Sequence, residues 1–140
     1  GKMVLNDEKF SFPIPAPYFA VDDDSAHVLC RFEDGSVAAA YKETDGVKTV
    51  YVATCNLPSV LLRDIAKLAN VFVYSENNKV YVYPNSQVMG VYNATENDAE
   101  IHLPENGEYI DLLSGGKYKC QNGTLKIAKK DINAFLLKRK

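Results

Sequence analysis

The chain has 140 residues, of which 46% are hydrophobic and 24% are charged, and its formal net charge is −2. A chain of this length buries enough apolar surface to fold as a soluble domain without a metal or disulfide scaffold. It has no basic field to attract a phosphate backbone, and no segment approaches the ~18 consecutive apolar residues of a membrane span. Neither nucleic acid nor a membrane is therefore a predicted partner.

The start of the chain and its cysteines bear on its origin. Gly1 stands ahead of Met3, so we expect this sequence to be a piece of a longer protein, with any targeting signal lying elsewhere. Cys30, Cys55 and Cys120 are odd in number and form no C-x-x-C pair, which argues against a zinc ribbon or a redox motif. We expect three buried thiols, which weakly favours a reducing, cytoplasmic compartment.

Residues 1–25 are predicted to form an extended, proline-rich arm or linker. Pro13, Pro15 and Pro17 stand on alternate residues, and each fixes its own φ and moves the preceding residue out of the helical region. Bulky apolar residues between them indicate a linker that lies on apolar surface. A proline-rich recognition ligand is the alternative.

Three short segments follow, AHVLCRF, VAAAYK and VKTVYVAT, within residues 26–54. The connections between them, EDGS and TDG, each carry the Asp-Gly pair that hairpin turns favour. This part of the sequence therefore predicts a meander of three antiparallel strands.

An amphipathic helix is predicted at about residues 57–69. Pro58 suits its first turn, where a missing N–H costs nothing, and Asn56 is a candidate cap. Asn70 suits the left-handed position that closes a helix. The residues at helical spacing, which we expect to be buried, are Leu61, Leu62, Ile65 and Leu68.

After the helix the apolar residues recur with period two, beginning with VFVY and KVYVY. Turn clusters such as YPNS, PENG and QNG separate short segments at intervals of ~8–12 residues. We therefore predict a mainly β domain of the α+β class over residues 26–140. Its expected fold is an antiparallel β-sandwich-like arrangement with one packed amphipathic helix.

Candidate chemical groups are few. His27 and Cys30 are three residues apart in a predicted strand, so alternation places their side chains on opposite faces and disfavours a local nucleophile pair. The acidic run at 22–25 lacks the spacing of an EF-hand loop and is predicted to be an exposed turn. Asn93 and Asn122 begin glycosylation sequons, which matter only in a eukaryotic secretory protein.

Recognised catalytic and cofactor motifs are missing from the sequence. It contains no P-loop, G-x-S-x-G, G-x-G-x-x-G or H-E-x-x-H, and the glycines of SGG are those of a turn. The sequence therefore predicts no catalytic residue, no metal site and no cofactor.

Tyrosines suggest a binding surface. Tyr81 and Tyr83 share one face of a predicted strand, and Tyr92 lies in the next strand. Sugar-binding modules stack rings on flat aromatic side chains, so these three residues are a candidate carbohydrate platform. Tyrosine is also common in half-buried strands, and the chain has no tryptophan, so a structural role is the alternative.

Two long stretches resemble a known family. LPSVLLRDIAKLANVFVYSENNKVYVYPNS and IHLPENGEYIDLLSGGKY are similar to the C-terminal part of family 42 β-galactosidases and related bacterial glycoside hydrolases. The final LKIAKKDINAFLLK resembles the last hairpin of the same region, and the resemblance covers about residues 26–138. One departure is Ala69-Asn70, where family members usually carry Ala-Gly.

The resemblance implies a fold and a role. It implies that the helix closes an amidotransferase-like middle domain and that a small antiparallel β-domain follows. The catalytic glutamates of such enzymes lie in a separate barrel domain, so the resemblance assigns no catalytic residue to this chain.

We therefore expect a non-catalytic accessory β-domain of a larger bacterial carbohydrate-active enzyme, with the adjacent domains of the parent chain as its partners. The alternative is a carbohydrate-binding module, and homo-oligomerisation is left open. A third hypothesis, from a different class, is a small hydrolase with Cys30 or Cys55 as nucleophile.

Overall fold

The computed structural model describes residues 2–5, 8–11, 18–55, 57–129 and 133–140. The chain divides into two compact units, Gly1–Val71 and Phe72–Lys140, and antiparallel strands predominate in both. The predicted mainly β class with one helix is confirmed. The domain boundary expected at residue 25 stays a prediction, and the division between the two units falls after Val71.

A five-stranded antiparallel sheet forms the first unit. Its strands are β1 (Lys2–Leu5), β2 (Glu8–Ser11), β3 (His27–Phe32), β4 (Val37–Thr44) and β5 (Val47–Val52). Their order in the sheet is β2-β1-β3-β4-β5, with Met3 of β1 opposite Phe32 of β3. Two strands thus occur within the predicted arm. The arm's prolines, at positions 13, 15 and 17, and the candidate helix cap Asn56 lie outside the described residues.

The predicted three-stranded meander is confirmed as β3, β4 and β5. Asp45 and Gly46 form the two-residue connection between β4 and β5, and both have positive φ, 53° and 77°. Positive φ at both central residues is the type I′ geometry, whose twist matches that of the paired strands. The Asp-Gly pair therefore sets the register that places Thr44 opposite Val47.

One α-helix packs on this sheet. It is α1 (Ser59–Leu68), and its Leu61 is 0% exposed. Ile65 is half-buried against the same cluster. The prediction that Leu62 is also buried is wrong, because each helical residue turns by about 100° and Leu62 is 54% exposed. The buried residues of this cluster are Cys30, Phe32, Ala38, Ala39 and Leu61.

The end of α1 is fixed by backbone hydrogen bonds. Asn70 has a φ of 56°, the Val71 N–H donates to the Ala66 carbonyl at 2.8 Å, and the Asn70 N–H donates to the Lys67 carbonyl at 3.0 Å. These two bonds are the Schellman motif, so the predicted closing role of Asn70 is confirmed. Within the described residues, no helix has the length and apolar character that crossing a bilayer demands.

The segment after the helix, residues 71–74, lies outside any strand although its four residues are the β-branched and aromatic types that strands favour. Val71 and Phe72 are exposed, and the rings of Phe72 and Tyr74 contact each other with centroids 4.9 Å apart. The Tyr74 carbonyl accepts a backbone hydrogen bond from His102 at 2.7 Å. The prediction of a strand here is wrong, because residues with a high strand propensity form a strand only where a partner strand completes the hydrogen-bond ladder.

Two antiparallel sheets form the second unit. Their strands are β6 (Val80–Pro84), β7 (Met89–Asn93), β8 (Ala99–His102), β9 (Gly107–Asp111), β10 (Lys117–Cys120), β11 (Thr124–Ile127) and β12 (Ala134–Arg139). The larger sheet has the order β10-β9-β12-β7-β6, and the smaller one pairs β11 with β8. All of these strands lie in the part of the sequence for which short strands separated by turns were predicted. Both sheets contribute to one core, whose most deeply buried aliphatic residues are Ile101, Leu125, Ile127 and Leu137.

Asn93 holds the loop between β7 and β8. Its side chain is 0% exposed, and its Oδ1 accepts hydrogen bonds from the Thr95 N–H at 3.0 Å and the Thr95 hydroxyl at 2.6 Å. Its Nδ2 donates to the Asn97 carbonyl at 3.0 Å. The first residue of a glycosylation sequon is therefore an interior structural group.

Candidate functional site

The three candidate tyrosines lie together on the outer side of the larger sheet in the second unit. Tyr81 and Tyr83 of β6 are 47% and 66% exposed, and Tyr92 of β7 is 47% exposed. Val80 and Val91, which alternate with them, point to the other side and are buried in the core. We call Tyr81, Tyr83 and Tyr92 the tyrosine face.

Strand register brings two of these rings into a pair. Tyr81 is directly opposite Tyr92, and their ring centroids are 6.2 Å apart with an angle of 32° between the planes. Tyr83 is opposite Gly90, where a Cβ would lie 3.6 Å from the Tyr83 Cβ and 3.9 Å from its Cδ2. Glycine therefore leaves Tyr83 without a side chain directly opposite it on β7.

The tyrosine face continues onto the next strand. Ala134 of β12 is opposite Tyr92, and Leu136 is opposite Gly90, and both are half-buried. The result is an apolar surface three strands wide. Aromatic rings present a negatively polarised face and a positive edge, so such a surface can stack on the C–H side of a sugar ring or pack against a protein.

His27 and Cys30, the histidine and cysteine closest in sequence, both lie in β3. His27 stacks on Tyr41 with ring centroids 4.7 Å apart. The register with β4 shifts by one residue between Val28 and Cys30, which places Cys30 opposite Ala39, on the same side as Tyr41. The predicted opposite placement of His27 and Cys30 is therefore wrong.

Burial nevertheless keeps the first cysteine protonated. It raises the pKa of the Cys30 thiol to about 11, so the reactive thiolate is scarce at neutral pH. Cys120 is also buried, and burial raises its pKa as well. Cys55 is exposed, so the expectation of three buried thiols is wrong for that residue.

The acidic run at 22–25 is an exposed turn, as predicted. Asp23 Oδ2 pairs with the Lys42 ammonium at 2.8 Å, and its Oδ1 accepts hydrogen bonds from the Ser25 N–H and hydroxyl. The Lys42 ammonium, followed by the Ser25 hydrogen bonds, holds the pKa of the Asp23 carboxyl well below its usual range. In the described part of the chain, no three His, Cys, Asp or Glu side chains converge as metal ligands.

Asp111 is a buried carboxylate whose role the sequence analysis did not identify. Its Oδ1 accepts hydrogen bonds from the Leu136 N–H at 2.9 Å and the Leu113 N–H at 3.2 Å, and its Oδ2 accepts from the Ser114 hydroxyl. Burial alone would raise the pKa of Asp111, but these hydrogen bonds together hold the pKa below its ordinary value. The carboxylate thus holds the turn that follows β9 against strand β12. In the sequence, the turn residues DLLSGG that begin at Asp111 were the signal for this role.

Comparisons with known proteins give a structural similarity but no match to a family model. No protein-family model matches the chain, and no curated protein matches it significantly. Among solved structures it is similar to Gan42B, a GH42 β-galactosidase from G. stearothermophilus, and to a catalytic mutant of that enzyme. For both, the TM-score is 0.48, the identity is 16%, and the match covers 99% of this chain. The chain spans 21% of the length of that enzyme.

Proposed function

We propose that this chain is a non-catalytic accessory β-domain of a larger bacterial carbohydrate-active enzyme of the β-galactosidase-like kind. One observation carries the proposal: three of the buried polar side chains, Asn93, Thr95 and Asp111, each bind the loop beside them. Catalytic groups need a pKa matched to proton transfer and a place where substrate can reach them. These three groups hold the fold instead.

The sequence resemblance supports the same proposal. Leu61 and Ile65, from the first resembling stretch, pack in the core of the first unit. Asp111 and Ser114, from the second stretch, form the turn that ties β9 to β12. The residues that carry the likeness to family 42 enzymes are therefore scaffold residues, as expected of an accessory part whose partners are neighbouring domains of its own parent.

Enzyme assays test this proposal. The purified 140-residue chain and the full reading frame that contains it are each assayed with 4-nitrophenyl β-galactoside and related aryl glycosides. We expect turnover by the full protein and none by the chain alone. Turnover by the isolated chain, or a full protein without activity on any glycoside, would contradict the proposal.

A second candidate function is carbohydrate binding at the tyrosine face. The observation that favours it is the exposed pair of Tyr81 and Tyr92, whose rings lie 6.2 Å apart on adjacent strands. Exposed aromatic residues grouped on a rigid sheet are more informative than apolar residues scattered singly over a surface. Tyr83 extends the pair along β6.

Binding measurements with matched variants test the second candidate. Isothermal titration with galacto-oligosaccharides and plant-polysaccharide fragments should show saturable binding that Tyr81→Ala or Tyr92→Ala weakens about tenfold, which corresponds to ~1.4 kcal/mol. Tyr51→Ala removes a similarly exposed tyrosine from the first unit and should leave the affinity unchanged. Equal losses in all three variants would argue against the tyrosine face.

A further inference from the structure

A cavity of about 210 Å³ opens at one end of the second unit, and nothing above assigns it a role. Its apolar walls come from residues of four separate segments, Met89, Leu103, Tyr109 and Leu137, and Tyr74 completes them. Leu103, Tyr109 and Leu137 are core residues, so this wall is part of the rigid interior. The volume is below the ~300–1,000 Å³ of pockets for drug-sized ligands, so the cavity suits a single small ring.

An ion pair stands at the mouth of the cavity. Arg139 pairs with Glu105, and its Nη2 donates to the Asn106 carbonyl at 3.2 Å. Gly107 lies beneath the guanidinium, and a Cβ there would come within 3.1 Å of Arg139 Nε, which is closer than such contacts normally are. Glycine at this position therefore makes room for the arginine, whose position is fixed by two partners before any ligand arrives.

The remaining polar groups at the mouth come from the loop between β6 and β7. Asn85, Ser86 and Gln87 line the cavity, and the Ser86 hydroxyl donates to Asn85 Oδ1 at 3.1 Å. Side-chain amides and a hydroxyl both donate and accept hydrogen bonds. Together with the arginine and the glutamate, they form a polar rim whose formal charges cancel.

The ligand class follows from this combination. An anion would have to compete with Glu105 for Arg139, and a purely apolar ligand would cover the side-chain amides of Asn85 and Gln87 without offering them hydrogen bonds. A neutral ring with an apolar side and hydroxyl groups at its edge satisfies both the apolar wall and the rim. We propose that this cavity binds one neutral, polyhydroxylated ring of monosaccharide size.

This site is separate from the tyrosine face. Leu136 lies on the outer side of the sheet with Gly90, whereas Leu137, the next residue, points inward to the cavity. The two sites therefore lie on opposite sides of one sheet, and each can be tested without the other. The proposal also does not depend on the accessory role, because binding is measured on the chain itself.

Amide ¹H–¹⁵N NMR of the 140-residue chain tests the proposal, with methyl β-D-galactopyranoside and methyl β-D-glucopyranoside as probes up to about 50 mM, well above a millimolar Kd. We expect saturable shift changes for at least one glycoside at the amides of residues 85–89, 103, 105–109 and 139. Sodium glucuronate should bind more weakly than the neutral glycosides. No saturable shifts, shifts confined to the tyrosine face, or tighter binding of glucuronate would each overturn the proposal.

Variants sharpen this test. Glu105→Ala and Gln87→Ala remove one acceptor and one amide from the rim, and each should weaken binding by about threefold to tenfold. Glu100→Gln is the matched control, because Glu100 forms a surface ion pair with Lys126 outside the cavity. The exposed position of Gln87 keeps that variant informative if Glu105→Ala fails to fold. Unchanged affinity in Gln87→Ala and every folded rim variant, or an equal loss in Glu100→Gln, would overturn the assignment.

Discussion

Replacing Leu61 by alanine should strongly destabilise the protein. Leu61 is 0% exposed and lies in one cluster with Ala38 and Ala39 of β4. The substitution removes three carbon atoms, which is worth ~2.4 kcal/mol of transfer free energy at ~0.8 kcal/mol each. The two alanines are too short to fill the space, so a cavity term is added, and we expect a total loss of about 4 kcal/mol, within the ~2.7–5 kcal/mol of such substitutions.

Urea unfolding followed by far-ultraviolet circular dichroism measures this loss as a shift in the transition midpoint. Leu62→Ala is the control, because it makes the same chemical change one residue along the helix at a side chain that is 54% exposed. It should cost less than about 1 kcal/mol. Ile65→Ala should fall between the two, since Ile65 is half-buried. Similar losses for Leu61→Ala and Leu62→Ala would refute the orientation of the helix described above.

Three further predictions concern single groups. Asp111→Asn should lower the free energy of unfolding by roughly 1–3 kcal/mol near pH 7. The pKa of Asp111 in the folded protein lies below its ordinary value. The stability that this carboxylate contributes is therefore fully present above the ordinary pKa and is lost as pH falls through the folded pKa. Urea unfolding of both proteins should therefore converge at acidic pH, and a gap that widens there would contradict the sign. Iodoacetamide should label Cys55 in the folded protein but Cys30 and Cys120 only after unfolding, and mass spectrometry identifies the labelled residues. Labelling of all three cysteines in native buffer would be inconsistent with the burial of Cys30 and Cys120. Because Asn70 has positive φ, Asn70→Gly should leave the stability nearly unchanged, whereas Asn70→Ala should lower it by about 1 kcal/mol. Equal thermal stabilities of the two variants would contradict the left-handed conformation at Asn70.

Local patterns in the sequence predicted most of the fold. The Asp45-Gly46 turn and Asn70 each require an unusual backbone conformation that few residues adopt, so their positions were readable from the sequence. The strands of the second unit were readable because one of their faces is buried, which imposes period two on their residues. Tyr81 and Tyr83 could be assigned to one face for the same reason.

Features that depend on distant partners were not readable. Val71 to Tyr74 are residue types that favour strands, but pairing requires a neighbouring strand, and local sequence does not reveal one. The register shift at Leu29 reverses the side on which Cys30 lies relative to His27, and no residue in the segment signals it. The orientation of Leu62 depended on where the helix meets its sheet.

The tyrosine face and the cavity also depend on residues that are distant in the sequence. Tyr92 joins Tyr81 only because the β6–β7 register places them directly opposite each other. The side chains that line the cavity come from distant parts of the sequence, and the first and last of them, Tyr74 and Arg139, are more than sixty positions apart. The ion pair at its mouth joins Glu105 to Arg139. Neither arrangement leaves a contiguous motif.

The interior position of Asn93 has a practical consequence for producing this protein in a eukaryotic secretory host. Oligosaccharyltransferase acts on the nascent chain before folding, and a glycan added at Asn93 would occupy a site where the folded side chain is 0% exposed and binds Thr95 and Asn97. A chain modified there would be unable to close the loop and would be retained and degraded. Asn122, at an exposed type I′ turn with φ of 52°, would tolerate the same sugar, so secreted material would carry a glycan at this second sequon alone.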